Sequence, residues 1–246
     1  IMFGTHLFMK NNDYKLINTP LITSNDCEGA GESFTITNML KNNIKDIDCD
    51  KDGKIDYSKD FFAQKAGLTV SGQLNLETSV PGLSDVYTLG PTFRAENSQT
   101  SRHLAEFWMI EIESAFMELE SLMDISEDYV KFIILQVLNE NKEELDFLCK
   151  IRKDEYLINN LNQVIENDFA RISYTEAIEI LEDNIKNYNI LVKTNYPNIS
   201  DKDWRKKSKN KDVFENPVFW GIDMNSEHEK WLCEKHFKKP VFVFNY

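Results

Sequence analysis

The sequence predicts an α+β fold: a mainly antiparallel β-sheet flanked by helices, followed by a largely helical second half. Three observations predict it. Short runs alternating apolar and polar residues recur up to Glu113. From Tyr129 onward the apolar residues fall at helical spacing. An unbroken apolar run, Pro240-Val241-Phe242-Val243-Phe244, then returns at the end. Strands, then helices, then a strand fit segregated elements better than alternating βαβ units.

Residues 1–19 read as the end of a helix leading into a strand. Thr19-Pro20 imposes extended geometry on Thr19, and Leu21-Ile22-Thr23 continues as a strand. A loop over Ser24–Gly31 precedes the alternating strand Ser33–Thr37, and the polar residues 38–60 read as an exposed connection. Leu68–Ser71 and Val86–Leu89 are strands on either side of a helical stretch near Leu74–Val80. Thr92–Glu96 and Glu106–Glu113 are the arms of a long hairpin with a wide loop. Ser126 is a candidate N-cap for a helix through Tyr129, Phe132, Ile133, Val137 and Leu138. Ser173 and Glu176 form a capping box before Ala177–Leu181. Lys202–Lys211 is basic and poor in helix formers. Both ends are abrupt, so the chain is expected to be a piece of a larger domain.

Composition narrows the function classes. The 246 residues carry 28 Lys+Arg and 41 Asp+Glu, a formal charge of −13, and the pI is about 4.8. Nucleic acid is therefore not bound by bulk electrostatics, and any such role needs a local basic patch. With 41% hydrophobic residues there is material for a packed core. The mean hydropathy is −0.45, and no apolar run approaches the length of a membrane span. Cys27, Cys49, Cys149 and Cys233 are too dispersed for a zinc site and read as reduced thiols. No secretory or transit segment is visible, so the expected location is cytoplasmic.

The chain lacks G-x-S-x-G, H-E-x-x-H, Walker-type and G-x-G-x-x-G motifs. An enzyme here would work by positioning and electrostatics. Asp48-x-Asp50-x-Asp52-Gly53-x-Ile55-Asp56 imitates the start of a calcium loop. Its twelfth position is Lys59, where a bidentate Glu should stand, so a solvated acidic loop is expected instead.

The informative segment is Phe93-Arg94-Ala95-Glu96-Asn97-Ser98-Gln99-Thr100-Ser101-Arg102-His103-Leu104-Ala105-Glu106-Phe107. Arg94 and Arg102 are planar cations suited to phosphate oxygens, and His103 adds a donor. Glu96 lies two residues from Arg94, on the same face of a strand. Phe107 offers a flat surface for a base. A nucleotide site and an ion-paired hairpin both fit this composition.

The segment closely resembles motif 2 of the class II aminoacyl-tRNA synthetases, aspartyl/asparaginyl subgroup. Thr-Ser-Arg-His-Leu-Ala-Glu-Phe-Trp-Met is similar to the asparaginyl form in particular. Asn18–Ser24 resembles the end of motif 1, Cys27–Glu32 the family's Glu-Gly-Ala-Gly-Glu loop, and Leu68–Glu77 and Trp220–Glu229 two further blocks, all in family order.

The resemblance implies the class II antiparallel sheet and a two-step ligation. Asparagine would be activated by ATP to an adenylate, then transferred to the acceptor end of tRNA(Asn). It implies Arg94 as the catalytic residue holding the α-phosphate. Glu96 would accept from the adenine amino group, Phe107 would stack on adenine, and Arg102 and His103 would meet the outer phosphates. Glu28 and Gln73 suit the substrate ammonium. The aspartyl relatives carry a Lys three residues after that Gln. Here Leu76 stands there, followed by Glu77, which can accept from an asparagine amide and repel an aspartate carboxylate. Glu77 is accordingly assigned to side-chain recognition.

The resemblance also implies ATP and Mg²⁺, with the metal's ligands expected outside this chain, and a homodimer through motif 1. No membrane partner is expected. Residues 1–246 read as an incomplete catalytic domain with a helical insert over about 114–215, without the anticodon-binding OB-fold or motif 3. Lys202–Lys211 is a candidate contact for tRNA phosphates. The alternatives are an aspartate-using relative, either an aspartyl-tRNA synthetase or a tRNA-independent asparagine synthetase, and a non-catalytic truncated paralogue.

Overall fold

The computed structural model describes residues 1–25, 33–40, 47–95, 104–195, 214 and 216–246, with the backbone alone for 187–195. The chain divides into two compact units, Met2–Glu118 and Leu119–Tyr246.

The first unit begins with helix α1, Met2–Asn11. It stops because Asp13 turns left-handed (φ 63°), which lets Tyr14 N–H reach back to the Met9 carbonyl at 2.9 Å. The chain then enters β1 (Lys15–Leu16), which lies parallel to β5 (Asp85–Phe93). β5 pairs antiparallel along its full length with β6 (Glu106–Ser114), in the register Thr92 opposite Phe107 and Thr88 opposite Glu111. Phe8, Met9, Tyr14, Val86 and Tyr87 are buried together with Leu76, which is fully inaccessible. His6 Nδ1 meets the Tyr87 hydroxyl at 2.9 Å.

A second sheet has the order β2-β4-β3: Ile22–Thr23, Ala66–Leu68 and Thr35–Ile36, all antiparallel. It joins the hairpin through Phe93 N–H, which donates to the Thr69 carbonyl at 2.9 Å. Between β4 and β5 in sequence come two short helices, α2 (Gln73–Glu77) and α3 (Val80–Leu83), where one helical stretch is expected from sequence. Pro81 sits in the first turn of α3, where its missing N–H does no harm.

The calcium-loop imitation folds as a turn. Asp50 Oδ1 accepts from the Asp52 and Lys54 amides, each at 2.9 Å, and Cys49 bridges to Ile55. Gly53 takes the left-handed position (φ 77°). Asp50 thus caps the turn through its side chain.

The second unit holds α4 (Leu119–Glu140), α5 (Lys142–Arg152), α6 (Leu157–Glu166), β7 (Ala170–Ser173), α7 (Tyr174–Asn195), α8 (Ser226–Trp231) and β8 (Val241–Phe244). β7 and β8 pair in parallel. Ile172, Ala177, Leu181 and Leu232 form the core, with Trp231, Val241 and Val243 packed on it. Ser173 and Glu176 make the expected capping box: the Glu176 carboxylate accepts from Ser173 N–H at 2.8 Å, and Ser173 Oγ accepts from Glu176 N–H at 3.2 Å.

Ser126 does not cap a helix. α4 starts seven residues earlier, and Ser126 Oγ donates to the Leu122 carbonyl one turn back, at 2.7 Å. Glu127, only 6% exposed, accepts from Lys131 (2.7 Å), Phe169 N–H (3.0 Å) and Arg171 (3.4 Å). This ties α4 to the start of β7. Burial opposes its ionisation, but these donors outweigh burial and hold its carboxyl below the usual range.

His228 is fully buried and its Nδ1 accepts from Asn225 N–H at 3.1 Å, closing a capping box at the start of α8. Cys49, Cys149 and Cys233 are free thiols. Among the described residues no helix is long and apolar enough to cross a membrane.

Candidate active site

The hairpin brings the two ends of the informative segment together. Arg94 leaves the end of β5 with its amide bonded to the Ala105 carbonyl at 3.1 Å, so the strands remain adjacent past the last ladder pair. The Arg94 side chain reaches across. Its guanidinium carbon lies 5.6 Å from the centre of the Phe107 ring, within cation–π range. Its Nε and Nη2 point at the Val70 carbonyl at 3.4 and 3.3 Å. Both side chains are half-buried, and the guanidinium lies against the aromatic ring.

Beside them the chain makes a tight turn, Val70-Ser71-Gly72, into α2. Thr69 Oγ1 donates to the Ser71 carbonyl at 2.5 Å. Glu111, from the middle of β6, holds this turn: its carboxylate accepts from Ser71 Oγ and from Gly72 N–H at 3.1 and 3.0 Å. The fit needs glycine, since a Cβ on Gly72 would meet Thr19 Oγ1 at 2.9 Å, Thr88 Cγ2 at 3.0 Å and Glu111 Oε2 at 3.2 Å. Glu111 and Gly72 are the functional positions that reading along the chain misses. They lie 39 residues apart, and only the β5–β6 register places Glu111 against the turn.

Gln73 opens α2, and Glu77 stands one helical turn on. Gln73 Nε2 donates to Glu77 Oε1 at 3.2 Å, the i,i+4 geometry that puts both on one face. Leu76, between them in sequence, points into the core and is fully buried. Glu113 feels burial first, then the charges of Glu77 and Glu111, and its carboxyl is pushed above the usual range. The negative potential on this side of the hairpin suits an ammonium or amide donor.

An open cleft of about 500 Å³ borders the site, lined by Thr23, Ser24, Ser33, Lys65, Val70 and Ala95 among others. Its neighbours Val70 and Ala95 are the residues that Arg94 contacts and precedes. Glu28, Glu96, Arg102 and His103 lie outside the described residues, as does Lys202–Lys211. Among the described residues no group of three or more His, Cys, Asp or Glu side chains is placed to hold a metal ion.

Comparison with known proteins identifies the family. The family model described as tRNA synthetases class II (D, K and N) matches residues 1–246. The asparagine–tRNA ligase of Clostridium kluyveri is 45% identical over 244 residues, covering 99% of this chain and 46% of that protein. That of Clostridium acetobutylicum is 46% identical over 245 residues, covering 99% and 46%. The chain thus spans under half the length of these curated relatives. The crystal structure of asparaginyl-tRNA synthetase from Pyrococcus horikoshii complexed with asparaginyl-adenylate superposes with a TM-score of 0.64 at 27% identity, covering 98% of this chain and 42% of that one. With the family model matching every residue from 1 to 246, the chain belongs to the class II tRNA synthetases of the D, K and N group.

Proposed function

We propose that the chain is catalytic-domain sequence of an asparagine–tRNA ligase, which activates asparagine with ATP and transfers it to tRNA(Asn). The observation that carries this reading is the Arg94–Phe107 pair at the neck of the hairpin. Its donor set fits a nucleotide: a fixed planar cation for phosphate oxygens beside an aromatic face for a base. Arg94 is proposed to hold the α-phosphate and to stabilise the charge that grows there as the carboxylate attacks, which is preorganised electrostatics and needs no protein nucleophile. Phe107 is proposed to stack on adenine, with Glu96 on its amino group and Arg102 and His103 on the outer phosphates.

Gln73 and Glu28 are assigned to the substrate ammonium. Glu77 is assigned to the side-chain amide, a role supported by its sharing one helix face with Gln73. Magnesium is proposed to accompany ATP, but the described residues do not form a site for it, and no step here runs through a metal. A homodimer through motif 1 is supported by the exposed apolar side chains Met2, Phe3 and Leu7 of α1 and Leu16 of β1. A cytoplasmic location is proposed, where aminoacylated tRNA is consumed in protein synthesis.

A thermal-shift titration with stable asparaginyl- and aspartyl-adenylate analogues tests the reading without needing turnover or tRNA. Stabilisation by the asparaginyl analogue alone is expected. Preference for the aspartyl analogue overturns the asparagine assignment, and no shift with either overturns the nucleotide site.

A further inference from the structure

An acidic chain must meet RNA through local cations. One such place lies in the second unit, away from the motif 2 hairpin in sequence. Residues 230–239 hold Lys230, Lys235, Lys238 and Lys239 against the single Glu234. A π-helical turn, Leu232–His236, is followed by Lys238 in the left-handed conformation (φ 54°). The two adjacent lysines, Lys238 and Lys239, line a cleft of about 710 Å³ together with Asn160 and Gln163 of α6, Cys233 and Glu234. Neither lysine is in an ion pair among the described residues.

The chemistry selects a ligand class. Two ammonium groups suit phosphate oxygens. Two carboxamides, which both donate and accept, suit ribose hydroxyls. Glu234 disfavours a small free anion held deep in the cleft, whereas an extended strand can seat its phosphates on the lysines and pass the carboxylate. We propose that this cleft binds the ribose-phosphate backbone of RNA. The proposal rests on the ligase reading only in taking tRNA as the partner.

The test is a salt titration of binding to an in-vitro-transcribed tRNA(Asn), followed by fluorescence anisotropy. Combining Lys238→Asn, which tolerates the left-handed backbone, with Lys239→Gln removes two cations. The log–log salt slope is expected to fall in magnitude by about 1.4–1.8. An unchanged slope overturns the proposal, as does competition by inorganic phosphate alone at low millimolar concentration. On the unmodified chain, bound tRNA is expected to slow alkylation of Cys233, read by mass spectrometry of its peptide. Unslowed alkylation at saturating tRNA overturns the proposal even where the double variant fails to fold. The adenylate-analogue titration contains no RNA, so failure of the ligase reading registers there and failure of the cleft registers here.

Discussion

Glu111→Ala removes the acceptor for two donors at once. Ser71 and Gly72 are both buried, so water does not readily replace the lost carboxylate at the Ser71 hydroxyl or the Gly72 amide. A buried donor left unsatisfied costs about 1–3 kcal/mol, and two together give an expected loss of about 2–4 kcal/mol after modest relaxation. Glu111→Gln keeps one carbonyl oxygen within reach of both donors and forfeits only the charge assistance, so about 1 kcal/mol is expected.

Hydrogen–deuterium exchange of the segment 69–77 reads this locally, because the Gly72 amide opens only when the turn lets go of β6. Protection should fall by about 30- to 1000-fold in the Ala variant, the factor those energies imply. Adding Ser71→Ala to Glu111→Ala should lower protection further at the Gln73 amide, which donates to Ser71 Oγ at 3.1 Å. The affinity for the asparaginyl-adenylate analogue should fall with the protection, because Gln73 rides on the turn. If Glu111→Ala leaves exchange within a factor of two of the parent, Glu111 does not hold the turn and its role here is refuted.

Three further outcomes are expected. Arg94→Lys should weaken the asparaginyl-adenylate analogue by about ten- to a hundredfold in calorimetric titration, since a point charge cannot replace a planar fork; unchanged affinity would remove Arg94 from the site. Glu127→Gln should destabilise the second unit by about 1–3 kcal/mol at pH 7 in urea unfolding, below the full range for a broken buried pair because Lys131 and Arg171 keep Asp168 and Asp124. Its carboxyl is depressed in the folded state, so its contribution is complete above the ordinary carboxyl range and lost as pH falls through the folded value; a deficit that persists at pH 2 contradicts this. Glu113 shows the opposite sign: its raised carboxyl makes the folded state the tighter proton binder, so stability is lost as pH rises through that range. Glu113→Gln should therefore stabilise the first unit at pH 7 by up to about 1 kcal/mol and have no effect below the ordinary carboxyl range, as thermal melts at both pH values would reveal.

What could be read along the chain was whatever is written locally. Ser173 and Glu176 lie three residues apart and make their cap as expected. Arg94 and Phe107 belong to one hairpin, and its pairing register alone brings them together. Contacts between distant segments left no such trace. β1 runs parallel to β5 and β7 parallel to β8, although antiparallel order was the general expectation. Their partners lie about 70 residues away, and nothing in a two- or four-residue strand names a partner. Glu111 is one of several glutamates of β6, and nothing in the strand's own sequence names Gly72 as its partner. Ser126 misled because a hydroxyl that can cap a helix can equally bond back inside one, and the polar residues of the first turns of α4 hid its true start. The aspartates of 48–56 carried a metal-like rhythm because turns and calcium loops both use short oxygen acceptors at alternate positions.

The grip of Arg94 on the Val70 carbonyl, with its guanidinium over Phe107, bears on the order of events at the site. The side chain rests on the surface proposed for the base. A nucleotide that stacks there must first dislodge it, and the dislodged cation then has an α-phosphate to turn to. Adenosine, which has no phosphate, displaces the arginine and offers nothing in return. AMP bears the same displacement cost, so its advantage over adenosine reads the phosphate contact alone, and the cost of moving the arginine shows instead as tighter adenosine binding to an Arg94→Ala variant, whose Phe107 face is uncovered.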